Sequence, residues 1–401
     1  MKGVVNFMDD RNKKKRIMLV VPMLHQGGFE RICVLTARLL KDSYDVYVVV
    51  FSMKDAFYDV TGLQVIDMNL GAATSKVKRI INIPKRIRAL KKLKKQYDID
   101  YTYSFGTTAN IVNVLAKQKD VTWAGIRGYG TLQDKGFGLI CRKADCVVSC
   151  TKVMEDDINH MVHAKESATI YNPCSVKEIQ SQANNRLEDT DLENFMSSSA
   201  KVIVTMGRED DYKGFWHLLK SFYLLKQKLE NVRLVIIGEG EYLEYKKLAN
   251  DLSIEQDVYF TGAQKNPFAI LKRADIYVLT SENEGFPNAL IEAMAVGLPC
   301  ISVNCKTGPA EILNDDFRAC QDQTKLYQGN YGILTPIFVG DKNLQADIIT
   351  AEEKIFAEQM EKLLRDKSLM RYYQEKALER ALDFSMENYV EQIEQLMKKW
   401  E

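Results

Sequence analysis

The feature that most constrains this chain is an alternation of short apolar runs with longer helical patterns, and the alternation occurs twice. The runs are strand-sized and bounded by glycine or polar turns, as expected of strands buried on both faces. Strands separated by helices pair in parallel, because a parallel connection needs a crossover of a dozen residues or more. The first series has strands expected near residues 17–22, 45–51, 65–68, 99–104, 121–126, 145–149 and 168–171, with a helix over about 29–41. Asn172-Pro173 stops it. The second series runs near 201–206, 233–237, 257–260, 275–279 and 299–303. Residues 176–200 between them are polar, acidic and poor in strand formers, which reads as the interdomain connection. At 401 residues the chain exceeds one ordinary core. The expected division is a first Rossmann-like domain over 1–180, a linker over 181–200, a second such domain over 201–383 and a last helix over 384–401. Open α/β sheets bind ligands at the carboxyl ends of their strands, so two facing sheets would share a cleft.

Composition narrows the class. No apolar run approaches the roughly 20 residues a membrane-spanning helix needs. The start, MKGVVNFMDDRNKKKR, has no apolar stretch after its charges and does not read as a signal peptide, so a cytoplasmic protein is expected. Eight cysteines without a CxxC pair, and four histidines, fit buried free thiols better than zinc or disulfides. The net charge of +1 hides an asymmetry: residues 1–175 hold 28 Lys and Arg against 17 Asp and Glu, and the remainder holds 27 against 37. The basic front half is suited to something anionic.

The most informative stretch is TSENEGFPNALIEAMAVGLPCISVN, residues 280–304. A strand ends, a loop carries Glu282 and Glu284, and Phe286, Pro287, Asn288 and Ala289 lead into a helix with Glu292 one turn inside. Asn288 is the expected N-cap, and the free amides after it suit hydroxyl or phosphate oxygens. Glu292 is either a solvated helix residue or a ligand to paired hydroxyls; among apolar neighbours a carboxylate needs a partner. In MGREDDYKGF, residues 206–215, Arg208 and Lys213 follow a strand end and suit a diphosphate. HQGGFER, residues 25–31, carries Gly27 and Gly28 where backbone could approach a ligand. In CKTGPAEIL, residues 305–313, Thr307 and Gly308 start a short helix.

Together these segments resemble retaining glycosyltransferases of the GT-B class, glycosyltransferase family 4, over nearly the whole chain. Glu284 and Glu292 occupy the acidic positions of that family's E-x7-E signature. The resemblance implies that Glu284 contacts the donor sugar, that Glu292 binds the ribose, and that Arg208 and Lys213 neutralise the diphosphate. It implies further that Gly27-Gly28 faces the donor, that Gly262 and Gln264 lie where the base sits, and that 384–400 is a terminal helix returning to the first domain. The TGPxE form around Thr307 favours a UDP-hexose or UDP-N-acetylhexosamine donor. The expected acceptor is a saccharide or lipid-linked molecule of bacterial surface polysaccharide synthesis, and neither cofactor nor metal is implied. The family's acceptor-side histidine is missing: the matching loop reads SFGTTAN, with Ser104 and Gly106, and Arg127 follows the next strand. His25 is the remaining candidate there.

Other patterns fail. GEGEYL has Leu243 where GxGxxG needs its third glycine. Asp98-Ile99-Asp100 mimics a metal-binding DxD, but at the start of a strand, where a capping turn is expected. The segment 76–96 has ten basic residues and no acid, with Ile80, Ile83, Ile87, Leu90 and Leu93 as an apolar stripe. It reads as a solvated helix whose stripe faces the core, or as contact with the anionic inner face of a membrane. Two further functional readings stay open: a nucleotide-sugar epimerase of the same architecture, and a non-catalytic subunit that keeps the fold.

Overall fold

The computed structural model describes residues 14–71, 76–162, 164–197 and 199–401, with backbone alone over 76–81. It divides into two compact units. The first comprises the residues up to 150 together with Met154–Ile170 and Val390–Glu401, and the second comprises Thr151–Val153 and Tyr171–Tyr389.

The first unit is built on β1 (Arg16–Val21), β2 (Asp45–Val50), β3 (Gln64–Asp67), β4 (Tyr101–Phe105), β5 (Val121–Ile126), β6 (Cys146–Ser149) and β7 (Ser167–Thr169). All pair in parallel, in the order β3-β2-β1-β4-β5-β6-β7. Met18 to Val21 of β1 have no exposed surface, which is why this strand reads as one continuous apolar run. Asp98 and Asp100 serve the strand starts. The Asp100 carboxylate accepts the Arg16 N–H at 2.8 Å, and Asp98 pairs with the Arg16 guanidinium at 3.1 Å.

The basic segment is a helix, Lys76–Gln96, with Pro84 inside it. Leu90 is buried, and Ile87 and Leu93 pack on the same core cluster as Met18, Val20 and Phe51. The stripe from Ile87 to Leu93 therefore faces the sheet and is not available to lipid; Ile83 is half-buried, and the side chain of Ile80 lies outside the described residues. Two of the ten basic residues are also inward. The Arg86 guanidinium donates to the Leu70 and Gly71 carbonyls. Lys94 and Asp120, both buried, form an ion pair at 2.8 Å, and the carboxylate also accepts from the Thr102 and Thr122 hydroxyls. Lys85, Arg88, Lys91, Lys92 and Lys95 remain exposed on the opposite face.

The second unit holds β8 (Lys201–Met206), β9 (Val232–Ile237), β10 (Val258–Phe260), β11 (Ile276–Leu279), β12 (Cys300–Val303), β13 (Tyr327–Gln328) and β14 (Ile333–Thr335). Their order is β10-β9-β8-β11-β12-β14-β13, parallel except for the last pair. The segment expected as a connection is ordered here. It forms helices Val176–Ala183 and Thr190–Met196, the second capped by the Asp189 carboxylate, and Val176, Ile179, Leu192 and Met196 are buried. Acidic composition disguised two short amphipathic helices as linker.

The last helix is Met386–Lys398. From Val390 onward its residues count with the first unit: Ile393, Leu396 and Met397 are buried, the Tyr101 hydroxyl donates to the Met397 carbonyl at 3.2 Å, and Trp400 lies 5.9 Å from Trp123. No helix among the described residues is long and apolar enough to cross a membrane.

Candidate active site

In the second sheet the strand order reverses between β8 and β11, which leave β8 as the first strand of one half and β11 as the first of the other. Loops leaving such a switch point diverge and open a crevice at the carboxyl ends of the strands. Lys213 leaves β8 and Glu284 leaves β11, so the two most informative sequence positions flank this point. Their side chains meet, with Lys213 Nζ 2.6 Å from Glu284 Oε1.

Several bonds hold the two loops in register. The Thr280 hydroxyl donates to the Lys213 carbonyl at 2.8 Å, and the Glu282 N–H donates to the Tyr212 carbonyl at 2.8 Å. Gly214 has φ 62°, and a Cβ there would stand 2.5 Å from the Thr280 carbonyl oxygen. Only glycine takes this conformation and this approach together. The loop after β12 joins the group, since the buried Thr307 hydroxyl donates to the Glu284 carbonyl. Gly308, at φ 96°, sits against Pro287, where a Cβ would strike the proline ring. Arg208 is exposed and makes no ion pair or hydrogen bond with the described residues.

Glu292 is buried within helix Asn288–Ala295, on the loop's C-terminal side. Asn288 does not cap that helix. Pro287 takes the N-cap position, and Asn288 Oδ1 instead accepts the Asn172 side-chain N–H at 3.0 Å. Ala289 is half-buried in the first turn. Phe286 packs inward, stacked on Tyr171 at 5.3 Å and edge-on to Phe384 at 5.5 Å, so its ring belongs to the core rather than to a ligand surface. Gly262 has open space around its α-carbon, and Gln264 donates to the Thr261 carbonyl at 2.9 Å. Glu311 is used structurally, accepting from the Lys152 and Val153 amides at 2.7 and 2.9 Å and from the Tyr171 hydroxyl. Burial pushes its carboxyl up, against those donors.

The first unit has its own switch point, between β1 and β4. Gly27 caps helix Gly28–Leu40 after β1, and Gly106 caps helix Thr107–Leu115 after β4. Gly28 is open to solvent, and His25 Nε2 lies 3.2 Å from the Lys54 carbonyl oxygen. Two acceptor-side expectations do not stand. Ser104 has no exposed surface; its hydroxyl donates to Asn110 Oδ1 at 2.7 Å, within a network that includes Asn113 and the Trp123 carbonyl. Arg127 donates to the Ile170 carbonyl at 3.1 Å and to the Tyr103 hydroxyl. Its cation braces β4 and the end of β7. Thr280 and Asn172 were missed, and no motif marks a hydroxyl or amide that acts on backbone or on another amide.

In this chain residues 160–325 match the family model of glycosyl transferases group 1, and its fold is shared with GT-B glycosyltransferases. Among its relatives is an uncharacterized glycosyltransferase of Methanocaldococcus jannaschii, 35% identical over 263 residues, or 64% of this chain and 62% of the relative. The chain thus spans less than two thirds of that relative's length. Another is the Campylobacter jejuni N-acetylgalactosamine-N,N'-diacetylbacillosaminyl-diphospho-undecaprenol 4-alpha-N-acetylgalactosaminyltransferase, 24% identical over 75% of this chain and 84% of its own. The crystal structure of Anabaena HepE with UDP matches at a TM-score of 0.73 and 16% identity, covering 96% of this chain and all of that one.

Proposed function

We propose that this chain is a retaining glycosyltransferase that moves a hexose or N-acetylhexosamine from a UDP-sugar to a saccharide or lipid-linked acceptor. The observation that carries the reading is the Lys213–Glu284 pair across the switch point, with Arg208 uncommitted in the same loop as Lys213. A nucleotide diphosphate brings two negative charges that Arg208 and Lys213 can neutralise as the glycosidic C–O bond breaks. Glu284 would exchange its ammonium partner for sugar hydroxyls, and Glu292 would accept the ribose hydroxyls. The acceptor hydroxyl attacks the face from which the diphosphate leaves and passes its proton to the departing phosphate oxygen, so configuration is kept and no protein nucleophile is needed. Positive charge at the diphosphate comes from the chain itself, so transfer should persist in a chelator.

The acceptor class follows the C. jejuni relative, whose name states a diphospho-undecaprenol substrate. The exposed basic face of helix Lys76–Gln96 complements an anionic membrane surface, where such an acceptor would lie. Nucleotide release measured across UDP- and GDP-sugars, with and without a polyprenyl-diphosphate saccharide, tests the assignment. Release from a UDP-sugar that depends on acceptor and survives EDTA is expected, and proton NMR of the product should show the donor's anomeric configuration. Interconversion of sugars without release would instead indicate an epimerase.

A further inference from the structure

His217 lies in the first turn of helix Phe215–Lys226, just past Lys213 and Gly214, and is almost fully buried. Its Nδ1 stands 2.6 Å from Glu353 Oε1. Glu353 has no exposed surface, and its other oxygen accepts the Thr350 N–H at 2.7 Å within a capping box. That carboxylate is an acceptor on both oxygens, so Nδ1 carries the hydrogen. Phe338 stacks on the imidazole at 4.1 Å and 15°, which fixes the ring plane.

The other ring nitrogen is unsettled. His217 Nε2 and Glu282 Oε1 face each other at 3.8 Å, and both atoms are buried without a hydrogen-bond partner. A bare imidazole nitrogen and a carboxylate oxygen repel. A single proton on either converts them into donor and acceptor, and buried polar atoms left unpaired are costly. Burial pushes the Glu282 carboxyl up, with His217 acting against it, so this glutamate keeps a proton more readily than an exposed one. Glu282 sits two residues before Glu284 in the loop after β11, and the separation exceeds a hydrogen bond by only about 1 Å. The other charged groups nearby are Asp211, which also pushes the Glu282 carboxyl up and pairs with Lys342 at 2.7 Å, and three more: Lys220, whose ammonium donates to the Ile348 carbonyl, Asp341, and Lys342 itself. These last three line the cavity of about 690 Å³ beside the ring.

We infer that His217 is a positioning residue: anchored by Glu353, it shares one proton with Glu282 and thereby fixes the loop that presents Glu284 to the donor. This rests on the proposed transfer reaction. As pH rises the shared proton is lost, Glu282 is released and turnover falls. An amide at position 282 can donate to the bare Nε2 and removes that dependence.

The chain has four histidines, so a spectrum of the full chain labelled with 15N-histidine is simple, and His217→Gln assigns the resonance. Nδ1 should keep its hydrogen, while the Nε2 resonance should report the shared proton and shift in Glu282→Gln. With UDP as the binding probe, His217→Leu and Glu282→Ala should each keep affinity within about threefold and lose about tenfold or more in turnover. Glu282→Gln should retain turnover within about threefold and flatten the alkaline limb. An Nε2 signal indifferent to Glu282→Gln overturns the inference, as does Glu282→Gln failing as badly as Glu282→Ala. The Glu282 variants carry the test if His217→Leu does not fold. A wild type that neither binds UDP nor releases it from any sugar overturns the transfer reading instead, and the spectrum reports on the proton independently.

Discussion

Replacing Lys213 by alanine removes one charge-assisted contact to the diphosphate, worth about 1.5–3 kcal/mol, so turnover should fall roughly 10- to 150-fold. Both members of the Lys213–Glu284 pair are partly exposed, so the urea midpoint should barely move. Wild-type turnover in this variant would remove the assignment. Each residue was singled out in the sequence because charged residues in the loops after parallel strands are already located by topology, but their contact with each other was not read there. Ser104 and Phe286 were misjudged for the complementary reason. A loop position in sequence does not say whether its side chain turns back into the core, and what turns these two is distant: Asn110 and Trp123 for the serine, Tyr171 and Phe384 for the ring.

At the scale of elements, helix Lys76–Gln96 separates two uses of lysine. Its outer face, with Lys85, Arg88, Lys91, Lys92 and Lys95, should attach the protein to vesicles rich in anionic lipid at about 1 kcal/mol per basic residue near the surface. Since the stripe through Leu90 is in the core, attachment is electrostatic only and should be reversed by salt as the screening length shrinks. Sedimentation with anionic and neutral vesicles at low and high salt measures this, and equal binding to both lipids would contradict it. The inner face carries Lys94. Burial alone would raise the Asp120 carboxyl, but the Lys94 ammonium and the surrounding donors outweigh it and hold it below the usual range. A lowered folded-state value means stability that is full above pH ~4 and is lost as pH falls through that value. Asp120→Ala should cost about 3–5 kcal/mol in urea unfolding at neutral pH by stranding the ammonium, and paired replacement with Lys94→Met should recover most of it. The charge run announced a helix and a stripe, but nothing in a run of like charges tells which lysine meets an aspartate 26 positions away.

At the scale of the whole molecule, twelve of the fourteen strands among the described residues were readable from apolar runs, the short β13 and β14 being missed, while the chain's return to its first unit was expected from the family resemblance and not from any local pattern. Removing residues 390–401 strips Ile393, Leu396 and Met397 from the first unit and uncovers Trp123. Their burial is worth on the order of 5 kcal/mol. Urea unfolding of the truncated chain should show the first unit's transition moved to lower denaturant and the second unit's retained; a single unshifted transition would contradict this. The same return orders events on the ribosome. Residues 171–389 separate the body of the first unit from the piece it lacks, and at 5–20 residues per second their synthesis takes roughly 10–45 s. For that interval the half of the protein made first waits with an open apolar seam, while the half made second already has every residue it needs.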